Sequence, residues 1–98
     1  MILHHIQTST TSDNALSLCL RYIAADDSIL LAADAVNALL KPQLLTAMQN
    51  NDVYVLSDDI QARGLSAKIA KLQYPNIHPI DYTEFVNQTL RHSKVITW

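Results

Sequence analysis

The chain has 98 residues, of which 49% are apolar and only 16% charged, with a formal charge of −2. A charged share below the usual value of about 25% excludes a disordered chain, and a chain of this length can bury a modest core, so one unit over residues 1–98 is expected. The single Gly excludes GxGxxG and GxxxxGK[ST] phosphate loops, while one Cys and one Glu exclude an internal disulfide, a CxxC pair, a multi-Cys zinc site and HExxH.

Short apolar runs alternate with segments of helical period, the pattern of a parallel sheet of four or five strands with helices on both faces. The first strand is expected over Ile2–Gln7. His4 and His5 are neighbours there, so their side chains point to opposite faces and do not share a metal, although one of them can face the core. The polar run Ser9–Asp13 supplies a helix start with Ser12 or Asp13 as cap, followed by the apolar stripe Leu16, Cys19, Leu20 and Ile23 at i, i+3, i+4 and i+7. A second strand is expected over Ser28–Ala33. Pro42 then suits the first turn of a helix that turns Leu44, Leu45 and Met48 inward and closes at Asn50-Asn51.

The third strand is Asp52–Leu56. The stretch Asp59–Leu72 has helical period, with Leu65, Ile69 and Leu72 on one face, but Gly64 divides it into two short helices. Arg63-Gly64 reads as a helix stop, where a cation meets the helix dipole and Gly takes the left-handed turn; an interface salt bridge is the alternative role for Arg63. A fourth strand follows at Ile77–Ile80. Asp81 and Glu84 have capping-box spacing at the head of a last helix, with Phe85, Val86, Thr89 and Leu90 along one side. A short fifth strand is expected at Val95–Trp98, and a terminal Trp points to packing of the chain end.

Ligands of such sheets gather beyond the carboxyl ends of the strands, here Thr8–Thr11, Asp34, Ser57-Asp58-Asp59 and Asp81. That rim is acidic, which disfavours a phosphate ligand and leaves a cation or amine as the small-molecule alternative to plain helix capping. Cys19 lies mid-helix on the apolar stripe. It is either a buried inert thiol or a thiol that accepts sulfane sulfur as a persulfide, and exposure decides between the two. His78 and His92 have no ligand spacing, and no GxSxG elbow positions a Ser. No metal and no cofactor are expected. The sparse basic residues argue against direct nucleic-acid contact, and no run approaches a membrane span or a leader, so a cytoplasmic, reducing location is expected.

Six segments taken in order carry a family resemblance: MILHHI, NALSLCLRYI, SILLAADAV, VYVLSDDIQARGL, IDYTEFV and a terminal ITW. Together they span nearly the whole chain, which resembles the TusB/DsrH family. The resemblance implies a DsrE-like α/β fold and assembly with two homologous subunits, TusC-like and TusD-like, into a dimer of heterotrimers. It further implies a relay that passes persulfide sulfur from a TusA-like carrier toward a TusE-like one, for 2-thiolation of the wobble uridine of tRNA. In that relay the main sulfur-carrying Cys belongs to the TusD-like subunit, and the B-type chain is a structural member.

Cys19 stands where DsrH-type relatives of sulfur-oxidizing bacteria have a Cys and many TusB chains have none, so an accessory persulfide site at Cys19 is the second reading. Asp59, Arg63, Gly64, Asp81, Tyr82, Phe85 and Trp98 match the family pattern and are read as fold and assembly residues. Relatives often have Asp-Gly after the second strand; here Asp34 is followed by Ala35, so the turn must be made differently. The small chain, half apolar, is expected to keep apolar surface for neighbouring subunits.

Overall fold

A computed structural model describes residues 1–98 as one five-stranded sheet with strand order β4-β3-β2-β1-β5, every pair parallel. The strands are β1 (Ile2–Ile6), β2 (Ser28–Leu31), β3 (Asp52–Leu56), β4 (Ile77–Ile80) and β5 (Lys94–Thr97). The helices are α1 (Ala15–Tyr22), a 3-10 helix (Ala33–Leu40), α2 (Pro42–Ala47), α3 (Ser57–Ala62), α4 (Ser66–Ala70) and α5 (Tyr82–Arg91). The expected architecture, a parallel sheet with helices on both faces, is the observed one. The strands differ from expectation only at their ends, where β1 and β2 stop at Ile6 and Leu31 and β5 starts one residue earlier, at Lys94.

The topology decides which face is covered by what. From β1 to β4 the chain moves one strand at a time, and because such crossovers are right-handed its helices collect on one face. The step from β4 to β5 crosses the whole sheet in the other direction, which puts α5 alone on the opposite face. The first face holds the main core, with Ile6, Ile29, Leu31, Val53 and Val55 of the sheet against Leu16 and Cys19 of α1, Val36 and Leu39 of the 3-10 helix, Leu45, Met48, Ile60 and Ile69. The second face holds a small cluster of Leu3, Leu30, Ala32, Leu56 and Ile80, against which Phe85 packs.

Local chemistry explains the departures from expectation. Asn14 rather than Ser12 or Asp13 occupies the cap position of α1, yet it makes no capping bond; Asp13 does the work from one residue earlier by accepting the Ala15 N–H at 3.0 Å. That bond and the Thr8 hydroxyl hold the Asp13 carboxyl below the usual carboxylate range. Asn51 ends the region after α2 as a structural tie, since its amide donates to the carbonyls of Ala24 and Asp27 at 3.0 and 2.9 Å. Gly64 sits between α3 and α4 with φ +66°, the left-handed stop expected of it. The capping box of α5 is half made: Asp81 accepts the Glu84 N–H at 2.8 Å, but Glu84 accepts from Gln88 instead of reaching back.

Two features were not expected. ADAVNALL forms a 3-10 helix with Ala35, Val36, Ala38 and Leu39 buried, between the second strand and the Pro42 helix, where the sequence pattern predicts no element. The inner side of α5 is Phe85, Gln88 and His92, not Phe85, Val86, Thr89 and Leu90, and Val86 and Leu90 are exposed. The polar groups under α5 are satisfied: Nδ1 of His92 pairs with the Gln88 carbonyl and Nε2 with the Ser28 hydroxyl at 3.0 Å. Satisfied polar burial is inexpensive, so periodicity alone did not fix which side of α5 faces the sheet.

Candidate functional site

Within the acidic rim expected beyond the strand ends, Arg63 pairs with two of the four carboxylates, Asp34 and Asp59, and leaves Asp58 and Asp81 without an ion-pair partner. Arg63 closes α3 and directs Nη2 and Nε at Oδ1 of Asp34, at 2.7 and 3.2 Å. Its Nη1 donates to the Asp59 carbonyl at 3.1 Å and lies 3.7 Å from the Asp59 carboxylate. Oδ2 of Asp59 accepts the Ala33 N–H at 2.8 Å. This network holds Ala33 at φ +51°, a left-handed conformation that costs a non-Gly residue about 1–2 kcal/mol. The turn after β2 is therefore made at Ala33, braced by Asp59 and Arg63, and needs no glycine at Ala35.

Between this braced turn and the start of α5 lies an open cleft of about 410 Å³, lined by His5, Gln7, Ala32, Ala33, Leu56, Asp59, Tyr82 and Phe85. It sits outside the carboxyl ends of β1, β2 and β3, where the helix after β3 leaves on one face and the helix after β4 on the other. That is the ligand-binding crevice of open α/β sheets. Phe85 meets His5 edge-on at 5.6 Å and stacks with Tyr82 at 6.3 Å. Burial pushes the His5 imidazole below its ordinary value, so it is neutral at pH 7. Of the cleft-lining residues, Asp59, Tyr82 and Phe85 were singled out in the sequence; His5 and Gln7 were not named as cleft residues, although the strand-end rule points to the end of β1.

The remaining residues of interest lie elsewhere. Cys19 is completely buried in the main core, and burial, helped by the nearby negative charge of Asp27, pushes its thiol up to about 12. A thiol in that state is neither accessible nor ionised at neutral pH, so it is inert as a nucleophile in this conformation. Trp98 packs on the chain's own core, donating its main-chain N–H to the His5 carbonyl and its indole N–H to Nδ1 of His4, both at 3.0 Å. That second bond fixes the His4 tautomer, because Nδ1 must accept and Nε2 must carry the proton it donates to Asp27 at 3.0 Å. His78 pairs with Asp52 at 3.2 Å and stacks on Tyr54. No three His, Cys, Asp or Glu side chains are grouped to hold a metal, and no helix is long and apolar enough to cross a membrane.

Fold and site together define a class: a small parallel α/β sheet with a strand-end cleft, a left-handed braced turn beside it, and its one thiol sealed in the core. Comparison with known proteins narrows the class. The family described as DsrH like protein matches residues 8–95. Protein TusB of Yersinia pestis (strain Pestoides F) is 42% identical over 86 residues, covering 85% of this chain and 86% of that protein, and Protein TusB of Yersinia pseudotuberculosis serotype O:1b (strain IP 31758) matches equally. The crystal structure of the ychN protein from E. coli superposes over 99% of this chain and 97% of that one with a TM-score of 0.77 at 22% identity. A conserved protein of unknown function from Bacteroides thetaiotaomicron covers 99% of this chain and 94% of its own with a TM-score of 0.69 at 15% identity. At those identities the two solved structures speak for the fold. The chain belongs to the TusB/DsrH family.

Proposed function

We propose that this chain is a structural subunit of a sulfur relay that 2-thiolates the wobble uridine of tRNA. It assembles with homologous TusC-like and TusD-like subunits, and the reactive Cys that carries persulfide between TusA-like and TusE-like carriers belongs to the TusD-like partner. The observation that carries this reading is family membership at 42% identity over most of the chain. The burial of Cys19 adds chemical support, since the chain's one thiol has no solvent exposure and a pKa near 12. The same burial weighs against Cys19 as an accessory persulfide carrier. The acidic-rim reading, a module that binds a cation or amine, is weakened because Arg63 already pairs with Asp34 and Asp59, and no three acidic or His side chains are grouped to hold a metal. The test is genetic and biochemical: deleting the gene lowers tRNA 2-thiouridine, and a tagged copy co-purifies homologous subunits. Unchanged 2-thiouridine in the deletion strain rejects the proposal.

A further inference from the structure

Of the chain's histidines, His4 and His92 are buried with both ring nitrogens bonded. Their partners differ in one respect. At His92, Nδ1 donates to the Gln88 carbonyl and Nε2 accepts the Ser28 hydroxyl at 3.0 Å; a hydroxyl both gives and takes hydrogen bonds, so if Nε2 gains a proton, Ser28 turns and accepts it. At His4, Nε2 donates to Asp27 and Nδ1 accepts the indole N–H of Trp98, both at 3.0 Å. An indole nitrogen only donates, so a proton added to Nδ1 sets two donors against each other, and no rotation repairs the bond. His5 and His78 keep access to solvent.

Charge at the site decides which of the two His4 bonds gives way. With a neutral imidazole the buried pair carries the uncompensated charge of the Asp27 carboxylate; with an imidazolium it becomes a closed ion pair. Burial works against the carboxylate, but the bonds from His4, Ala24 and Ile2 outweigh it and hold Asp27 below the ordinary carboxylate range, so it stays ionised across the range in which histidines titrate. Among the other groups packed around the pair, Cys19 of α1 is a neutral thiol, pushed up to about 12 by burial and then by the Asp27 charge, and Arg21 and Tyr22 of that helix are exposed. Lys94 of β5 stands opposite Ile2, on the His4 face, and is exposed, while the Met1 amine lies 3.5 Å from Asp26. Trp98 is the one partner of Nδ1.

We propose that His4 is a proton-operated latch on Trp98 and the adjoining end of β5. Neutral, it holds the indole; protonated on Nδ1, it keeps the Asp27 carboxylate and lets the indole go. β5 is an edge strand paired only with β1, and Trp98 ties its end through the indole and through a main-chain N–H bonded to the His5 carbonyl. Losing the indole bond therefore loosens one edge of the sheet and leaves its centre intact. The contact is complete while the imidazole is neutral and is lost as the pH falls through its titration. The inference goes beyond the sulfur-relay reading and does not depend on it.

Trp98 is the only tryptophan, so it supplies the one indole N–H resonance and all the indole fluorescence of the full-length chain. From about pH 8 to about pH 5 the resonance is expected to move toward that of a solvated indole and the emission toward the red. Over the same range the protection of the β5 amides against exchange is expected to fall about tenfold, the worth of one hydrogen bond, with the circular dichroism spectrum unchanged. Imidazole nitrogen spectra of the wild type report protonation of Nδ1 directly, and its midpoint is expected to coincide with that of the indole shift. His4→Gln keeps an acceptor for the indole and a donor for Asp27 without a titrating proton, and is expected to abolish all three changes. An indole signal that stays in place across the range, or a midpoint apart from that of Nδ1, overturns the proposal. So does quenching of Trp98 with no red shift and no loss of protection, or a shift that persists in folded His4→Gln.

Discussion

Replacing Asp27 by Ala is expected to remove a large part of the fold's stability. Asp27 is only 5% exposed, and its carboxylate accepts the Ile2 N–H at 2.9 Å and the Ala24 N–H and His4 Nε2–H at 3.0 Å each. Burial by itself would raise its pKa, but the bonds from His4, Ala24 and Ile2 outweigh it and hold the carboxyl below its ordinary value. The substitution leaves three donors without an acceptor at the junction of β1, β2 and the chain end. At about 1–3 kcal/mol for each orphaned donor, with part recovered by water entering the gap, the loss is about 3–5 kcal/mol. Against a total of about 5–15 kcal/mol that is about a fifth or more of the fold's stability, and it corresponds to a fall in Tm of roughly 15–30 °C.

Asp27→Asn keeps the volume and one accepting oxygen and is expected to cost about half as much. Urea titrations followed by circular dichroism give both values. Folding depresses the Asp27 pKa, so the unfolded chain binds the proton more readily. The contribution is therefore complete above the unfolded value of about 3.9 and is lost as the pH falls through the folded one. Wild-type stability should fall on acidification below about pH 4, with a shallower fall in Asp27→Asn. A cost under about 1 kcal/mol for Asp27→Ala would refute the reasoning, because it would mean the three donors find other partners.

Other substitutions probe the remaining links. Ala33→Gly relieves the left-handed strain at φ +51° and is expected to raise stability by up to about 1 kcal/mol, read as a higher urea midpoint; a lower midpoint would contradict the strain. Removing Trp98 by a stop codon takes away the indole bond to His4 and the last main-chain bond of β5, at a cost of about 2 kcal/mol. Amide exchange confined to Lys94–Thr97 should accelerate first, and unchanged exchange there would remove the chain end from the account. The Cys19 thiol should react with Ellman's reagent at neutral pH only as fast as the protein opens, so reaction in native buffer at the rate of a free thiol would contradict its burial.

The central strands were legible because Ser28–Leu31 and Asp52–Leu56 are short runs rich in Ile, Leu and Val that open on Ser or Asp, and a parallel sheet buried on both faces demands such runs. The break at Gly64 was legible for the same kind of reason, since only one residue in the chain adopts a left-handed turn without cost. Three features were not. The buried His4–Asp27–Trp98 chain joins residues 23 and 94 positions apart, which no local pattern records. The left-handed Ala33 is held by Asp59 and Arg63 from the next crossover, so its conformation is a tertiary effect at a residue that disfavours it. The orientation of α5 was not legible, because its apolar arc does not face the sheet and the buried residues are Gln88 and His92, satisfied by hydrogen bonds. Of the site, the position of the cleft at the strand ends was legible from topology, and the pairing of Asp34 and Asp59 was not, because Arg63 joins them through contacts of a kind that spacing does not reveal.

If the proposed role is right, the chain contributes surface and shape to a sulfur relay and no chemistry of its own. The deciding measurement is tRNA 2-thiouridine, by mass spectrometry, in a strain lacking the gene and complemented with either the wild-type chain or Cys19→Ala. Both are expected to restore 2-thiouridine to the same level. Restoration by the wild type alone, with Cys19→Ala folded and still bound to its homologous subunits, would contradict it.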